Sequence, residues 1–400
     1  MSNTSDPHNT RPLLALCLEY SLVLQGGVSV LVRKLLAPLS QSYRLILISP
    51  DEPGLLPGDC LSSIHLHLRS PKILTPATAL DLATCLNDQK VDLAHFHSGG
   101  NYGWGNARPG CCPIPYLSLL GIPSVHTVHL TVSPLDGYCD PARHVLAKLA
   151  LFPAAWILKI RQLAHTRCEI AVSQHDLNKL RHWYFPFASK YRQIYHSTLS
   201  STSNFKLQAS NLRSRIILSV GHIAFRKGQH FLAEAFCRIA HKYPDWQLWM
   251  AGHNAEPACW AEIEDLIRKN KLEDRIKLLG ARADTAELMQ KASIFVQPSI
   301  WEALGLALQE ALYHGCACIG SDAGGIPELI THGETGLLVS PGDVAALSTA
   351  LEQLLDDPLL RLAFSSAGPP SILAKGMTSD SMTRHHLDLY KKVLNPDRET

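Results

Sequence analysis

Short, unbroken apolar runs recur along this chain, each followed by a longer stretch with helical periodicity. That alternation limits the fold more than any other feature. The run LLALCL at residues 13–18 is apolar at every position, as a central parallel strand buried on both faces requires. Strands are predicted at 44–49, 64–68, 91–97, 124–129 and 168–173. Helices are predicted at 28–39, 77–89, 145–166 (with a break or kink at Pro153) and 174–183. Residues 98–115 are rich in Gly and Pro and read as a loop. The pattern lapses in the polar stretch STLSSTSNFKLQAS at 197–210. A second series follows, with strands at 216–220, 247–252, 276–279, 294–297 and 336–339. Its helices are predicted at 229–243, 260–270, 284–291 and 343–355, the last capped by Asp343, and the tail at 379–393 is helical. Four hundred residues exceed one ordinary core, so the expectation is α/β with two Rossmann-like, doubly wound domains facing each other across a cleft. The expected boundaries are 1–200, a linker at 201–213, 214–377, and a C-terminal helix at 378–400 packing back toward the first domain.

Composition narrows the function. A chain that is 46% hydrophobic and 18% charged is globular, and a net charge of +2 disfavours a strongly electrostatic nucleic-acid binder. Residues 1–200 carry net +5 and residues 201–400 net −3, which makes the first half the one expected to face an anionic surface or acceptor. The 11 Cys include no C-x-x-C pair and no zinc spacing, so they read as buried, reduced thiols of a cytosolic protein. Residues 1–11 are too polar for a signal peptide, and the apolar region 145–160 is interrupted by Lys148, Pro153 and Lys159.

The chemistry concentrates in residues 299–330. Glu302 and Glu310 have seven residues between them and flank a turn at Gly305, with a helix predicted to start near Leu306. A helix N-terminus presents unpaired N–H groups and the positive end of its dipole, a seat for a diphosphate. Glu310, about one turn inside, suits a ribose diol, and Glu302 suits hydroxyls beyond the phosphates. Either glutamate alone reads as an exposed polar residue; the constellation points to a ligand. The segment GHIAFRKG at 221–228 follows a strand and places Arg226 and Lys227 as cations for the same diphosphate. Gly26 and Gly27 form a third Gly turn without the full G-x-G-x-x-G pattern.

These motifs resemble retaining glycosyltransferases of family 4, the glycosyl transferases group 1, which have the GT-B fold. The likeness rests on Glu302 and Glu310, Gln297-Pro-Ser299, Gly305-Leu306, Gly324-Gly325-Ile-Pro-Glu328, Gly333-x-x-Gly336 and the segment 221–228. The first half matches at Gly26-Gly27, His95-x-His97 and Thr127-x-His129. The resemblance implies that Glu310 binds the donor ribose, Glu302 the donor sugar, and Lys227 the diphosphate. It implies that Gly27 lets the first helix approach the donor, and that His129 lies near the reacting sugar. Catalytic roles then fall to His129, Glu302 and Lys227. Three departures stand out. His222 replaces an arginine, with Arg226 as substitute cation. Ala303 and Leu304 replace a glycine and an aromatic residue, and residues 194–198 replace an Asn-Gly-Val.

The implied reaction is retaining hexosyl transfer from a nucleotide-diphosphate sugar to a glycan, lipid-linked or small-molecule acceptor in polysaccharide or glycoconjugate biosynthesis. No Asp-x-Asp motif is present, and no cofactor or metal is expected. Arg143, Lys148, Lys159, Arg161 and Arg167 flank apolar residues of the 145–166 helix. Such a helix suits either an anionic membrane surface or a core with snorkelling lysines. The expected location is the cytoplasm, with peripheral contact to the inner face of the membrane as an option. A nucleotide-sugar epimerase or a non-catalytic nucleotide-sugar-binding protein are the alternatives.

Overall fold

A computed structural model of the protein describes residues 11–23, 26–52, 55–56, 58–134, 145–201 and 214–396. The chain divides into two compact units. One runs to His196 and takes in the segment from Ser379 onward; the other is Ser197–Thr378. Arg143 and most of the polar stretch expected as a linker lie outside the described residues.

The first unit is a seven-stranded sheet of β1 (Leu13–Leu18), β2 (Arg44–Ser49), β3 (Leu66–Arg69), β4 (Leu93–Ser98), β5 (Ser124–Val128), β6 (Cys168–Ala171) and β7 (Tyr191–Gln193). All pairings are parallel, in the order β3-β2-β1-β4-β5-β6-β7. Its helices are α1 (Gly27–Ser42), α2 (Gly58–Leu61), α3 (Pro76–Asp88), α4 (Pro113–Leu119), α5 (Val145–His165) and α6 (Gln174–Trp183). Side chains alternate between the faces of a strand. Ala15, Cys17, Ala94 and Phe96 accordingly face α3 and α4 through Leu82, Leu86, Ile114 and Leu117. The helix Ser379–Leu394 packs on this unit against α1, where Tyr43 and Tyr390 make an edge contact.

The second unit holds β8 (Ser214–Val220), β9 (Gln247–Ala251), β10 (Ile276–Gly280), β11 (Ala292–Gln297), β12 (Ala317–Ser321) and β13 (Gly336–Val339), all parallel, in the order β10-β9-β8-β11-β12-β13. The helices are α7 (Gln229–Ile239), α8 (Pro257–Asn270), α9 (Thr285–Lys291), α10 (Leu306–Tyr313), α11 (Ile326–Leu329), α12 (Val344–Asp356) and α13 (Pro358–Ala374); the tail helix becomes α14 (Ser379–Leu394). Ile217, Leu248, Met250, Val296 and Ile319 of the sheet pack with Leu232 and Phe236 of α7 and Leu351 and Leu354 of α12. In each sheet the strand order reverses beside the first strand, between β1 and β4 and between β8 and β11. Open α/β sheets bind ligands beyond the strand C-termini at such points.

Four expectations change. Residues 113–115, the end of the expected loop, instead begin the helix 113–119, because Pro113 opens α4 at a position where no N–H is needed. The helix does not break at Pro153: α5 continues across it as one helix. β7 and α13 were not anticipated. β7 is three residues long, and α13 carries Pro369 and Pro370 in its interior. Among the described residues no helix is long and apolar enough to cross a membrane.

Candidate functional site

In the second unit, the loops that follow β8 and β11 are joined at the reversal point. Ile300 N–H donates to the Arg226 carbonyl at 2.9 Å, and Arg226 Nη1 donates to the Trp301 carbonyl at 3.0 Å. Gly228 caps α7 with φ +72°, and a β-carbon there would lie 2.0 Å from the Pro298 carbonyl oxygen. Only glycine accommodates both the left-handed backbone and that approach.

This joint carries Lys227 to Glu302. Their side chains meet at 2.5 Å (Nζ to Oε2), and the glutamate is 8% exposed. Gln297 Nε2 and Ser299 Oγ each donate to the same carboxylate oxygen at 3.3 Å, and Gln297 Nε2 also donates to Ser299 Oγ at 2.8 Å. Burial pushes the Glu302 carboxyl up. The charge and hydrogen bond of Lys227, helped by Arg226 and the Ala303 N–H, outweigh burial and hold it below the usual carboxylate range. The Glu302 backbone is fixed as well. Its carbonyl accepts from Gly325 N–H at 3.3 Å, and a β-carbon on Gly324, at φ +59°, would lie 1.6 Å from that carbonyl oxygen.

Gly305 follows with φ +96° and is the N-cap of α10, which begins at Leu306 and has no side-chain cap. Glu310, half-buried on α10, accepts from Thr198 Oγ1 at 2.6 Å. The second unit thus brings together Lys227, Glu302, Arg226, Gly305 and Leu306, and sets Glu310 one turn further along. His222 stands edge-on to His253 at 4.4 Å between ring centroids. Sequence reasoning gave no role to Gln297, Ser299, Gly324 or Thr198. The first three belong to motif segments, so a signal was present; Thr198 lies in a segment that departs from the family's text.

Gly27 and His129 belong to the first unit. Gly27 is the first residue of α1, whose N-cap, Gly26, is extended and provides no side-chain cap. His129 follows β5, and its N–H donates to the Ser98 carbonyl at 2.9 Å. Its imidazole is pushed down to about 3 by burial, then by His126 and His386. His95 is an interior residue, bonded to the Tyr390 hydroxyl at 2.6 Å and to Thr127 Oγ1 at 2.7 Å. Lys159 is corrected outright. It is not a solvent-facing residue of α5 but fully buried, 2.7 Å from Glu169 Oε2, because that carboxylate needs a cation. The described cysteines are free thiols.

The chain belongs to the glycosyltransferase family these motifs define. Residues 25–197 match the model for Glycosyltransferase Family 4, and residues 200–369 match that for glycosyl transferases group 1. N-acetyl-alpha-D-glucosaminyl L-malate synthase of Bacillus anthracis is 29% identical over 184 residues, 46% of this chain and 47% of that protein. The chain spans about half the length of the curated relatives it matches. Among solved structures, a glycosyltransferase from Rickettsia africae superposes with TM-score 0.76 at 19% identity, covering 98% of this chain and 100% of that one. Anabaena HepE in complex with UDP-glucose superposes with TM-score 0.68 at 18% identity, covering 95% and 99%. The fold is GT-B.

Proposed function

We propose that the protein transfers a glycosyl group from a nucleotide-diphosphate sugar to an acceptor hydroxyl, with retention at the anomeric carbon and without a metal ion. The observation that carries this reading is the Lys227–Glu302 pair at the reversal point, with Glu310 one turn into α10. Lys227 and Arg226 supply positive charge for a diphosphate, and the uncapped start of α10 adds backbone donors. Glu302, kept ionised, accepts from sugar hydroxyls, and Glu310 accepts from the ribose. HepE, which shares this fold, binds UDP-glucose, a donor of the proposed class.

In the proposed step the bond from the anomeric carbon to the phosphate oxygen breaks and the bond to the acceptor oxygen forms on the same face. The acceptor proton passes to the departing phosphate oxygen. The protein stabilises the charge that develops on the leaving group through groups already in place. Lys227→Ala is expected to lower kcat about 10²–10³-fold, in the range for removal of one preorganised charge-stabilising donor. Glu310→Ala is expected to raise KM for the donor more than it lowers kcat. Nucleoside diphosphate release across a panel of donors and acceptors measures both. Wild-type turnover in both variants overturns the proposal.

A further inference from the structure

His129 carries a second piece of chemistry, set by a neighbour to which sequence reasoning gave no definite role. His97, on β4, is fully buried, and its Nδ1 lies 3.1 Å from Nε2 of His129. The two rings are nearly parallel, with centroids 5.3 Å apart and planes 25° apart. The spacing is imposed by the backbone, because His129 N–H donates to Ser98, the residue after His97. Around the pair, His95 packs 4.1 Å from His97, His196 packs 5.0 Å from His129, and His386 of α14 packs 5.7 Å from His95.

One hydrogen bond joins two imidazoles, so one ring must donate and the other accept. A neutral imidazole has one N–H and one lone pair. Both rings are neutral at ordinary pH: burial, then the surrounding imidazoles, push His97 far down, as they do His129. The choice is decided by the far side of His97. Its Nε2 is buried and has no hydrogen-bond partner among the described residues. If the proton sat there, a buried N–H would have no acceptor. If it sits on Nδ1, only a bare lone pair is left unpaired. Buried orphan donors are rarer than under-used acceptors, so the second arrangement is favoured.

We propose that His97 is a positioning residue: it donates its Nδ1–H to Nε2 of His129 and holds His129 as the Nδ1–H tautomer. The basic nitrogen of His129 is then occupied. What His129 presents beyond the end of β5 is a hydrogen-bond donor, and it makes no other hydrogen bond among the described residues. A donor suits an oxygen of a bound sugar, whereas a general base has no part in a step where the leaving phosphate takes the acceptor's proton. This inference rests on the proposed transfer for its purpose but not for its test.

The test is imidazole ¹⁵N spectroscopy of the full chain, with the His129 signals assigned by His129→Gln. The expected spectrum at neutral pH shows a protonated Nδ1 and an unprotonated Nε2 on His129. His97→Asn places an amide donor where Nδ1 stood, keeps that signature and retains most of kcat. His97→Phe removes the donor, gives a mixed tautomer, and lowers kcat up to about tenfold, the equivalent of one lost hydrogen bond, with little change in KM. A protonated Nε2 on His129 in the unaltered protein overturns the inference, whether or not His97→Phe folds. The expected tautomer without sugar transfer from any donor would instead sink the proposed function alone.

Discussion

The two sheets share a topology but not an interior. In the second unit the strands bury Ile217, Leu248, Met250, Val296 and Ile319, and buried polar groups gather near the strand C-termini at Gln297, Ser299, Glu302 and Ser321. In the first unit, polar groups enter the sheet on both faces. His95, His97 and Thr127 point one way, toward His386 and Tyr390. His126 and Glu169, which pair in register, point the other way, toward Lys159 and Gln162 of α5. A polar interior must be satisfied group by group. The first unit therefore ties its stability to charge and pH in a way the second does not, and that difference can be attacked directly.

The largest effect is expected from the buried ion pair. Lys159 and Glu169 are both 0% exposed. Burial pushes the Glu169 carboxyl up, but Lys159 and His126 outweigh it and hold it below the usual range. Lys159→Met strands that carboxylate, whose Oε1 already has no partner among the described residues. The expected loss is about 3–5 kcal/mol, the cost of breaking a buried pair from one side. Replacing both as Lys159→Met with Glu169→Leu is expected to recover most of it. Hydrogen exchange resolved by segment is the proper measurement, since a chain with two units has no single unfolding free energy. Protection should fall at β5 and β6 and hold at β8 and β11. An equal fall in both sheets would remove the contrast.

Acidification is expected to act next most strongly. His95, His97, His196 and His386 are buried neutral, each pushed down chiefly by burial, His386 to about 4. Unfolded histidine titrates near ~6.5, so the unfolded chain binds protons that the fold refuses as pH drops below that value. Stability of the first unit is thus full above ~6.5 and is lost as pH falls toward the folded values. Each such ring contributes at most about 1.4 kcal/mol per pH unit inside the window. The second unit contributes His230, also pushed down by burial, and the depressed Glu302, whose contribution is lost only below the ordinary glutamate range. Between pH 7.5 and 5, protection factors, taken relative to the intrinsic exchange rate at each pH, should fall by more at β4 and β5 than at β8 and β11. A uniform fall in protection would assign the effect to something other than these imidazoles.

The same contrast explains what was legible in the sequence. The second unit's runs are apolar and its polar residues sit at strand ends in fixed motifs, so strands and candidate site both show in the residue order. Lys227 and Glu302 are 75 residues apart, yet each lies in a recognisable segment, and the fold closes the gap. In the first unit, strands were found because β1 is apolar throughout and β2 is apolar over residues 45–48, but the roles of polar residues were hidden. Lys159 reads as a surface residue on a basic helix until Glu169 is placed opposite it by the sheet. His97 and His126 are indistinguishable in composition, and only strand alternation sends one toward His129 and the other toward Glu169. Proline misled at α4, where Pro113 opens a helix instead of marking a loop, because a proline's effect depends on its position in the turn.

The smallest effects separate interior from periphery. Helix caps are local devices and should ignore the difference between the units. Ser173 Oγ accepts from Asp176 N–H at 3.1 Å at the start of α6, and Asp343 accepts from Ala346 N–H at 2.9 Å at the start of α12. Each replaced by alanine removes one acceptor for an orphan helix donor, and each is expected to cost about 1 kcal/mol, read as faster exchange in that helix alone. Asp343 is exposed, so water can take over its donor; Ser173 is fully buried and no water can. The burial difference therefore ranks Ser173→Ala the costlier of the two. If Asp343→Ala proves costlier, its charge on the α12 dipole outweighs burial, and caps obey local electrostatics in both units alike.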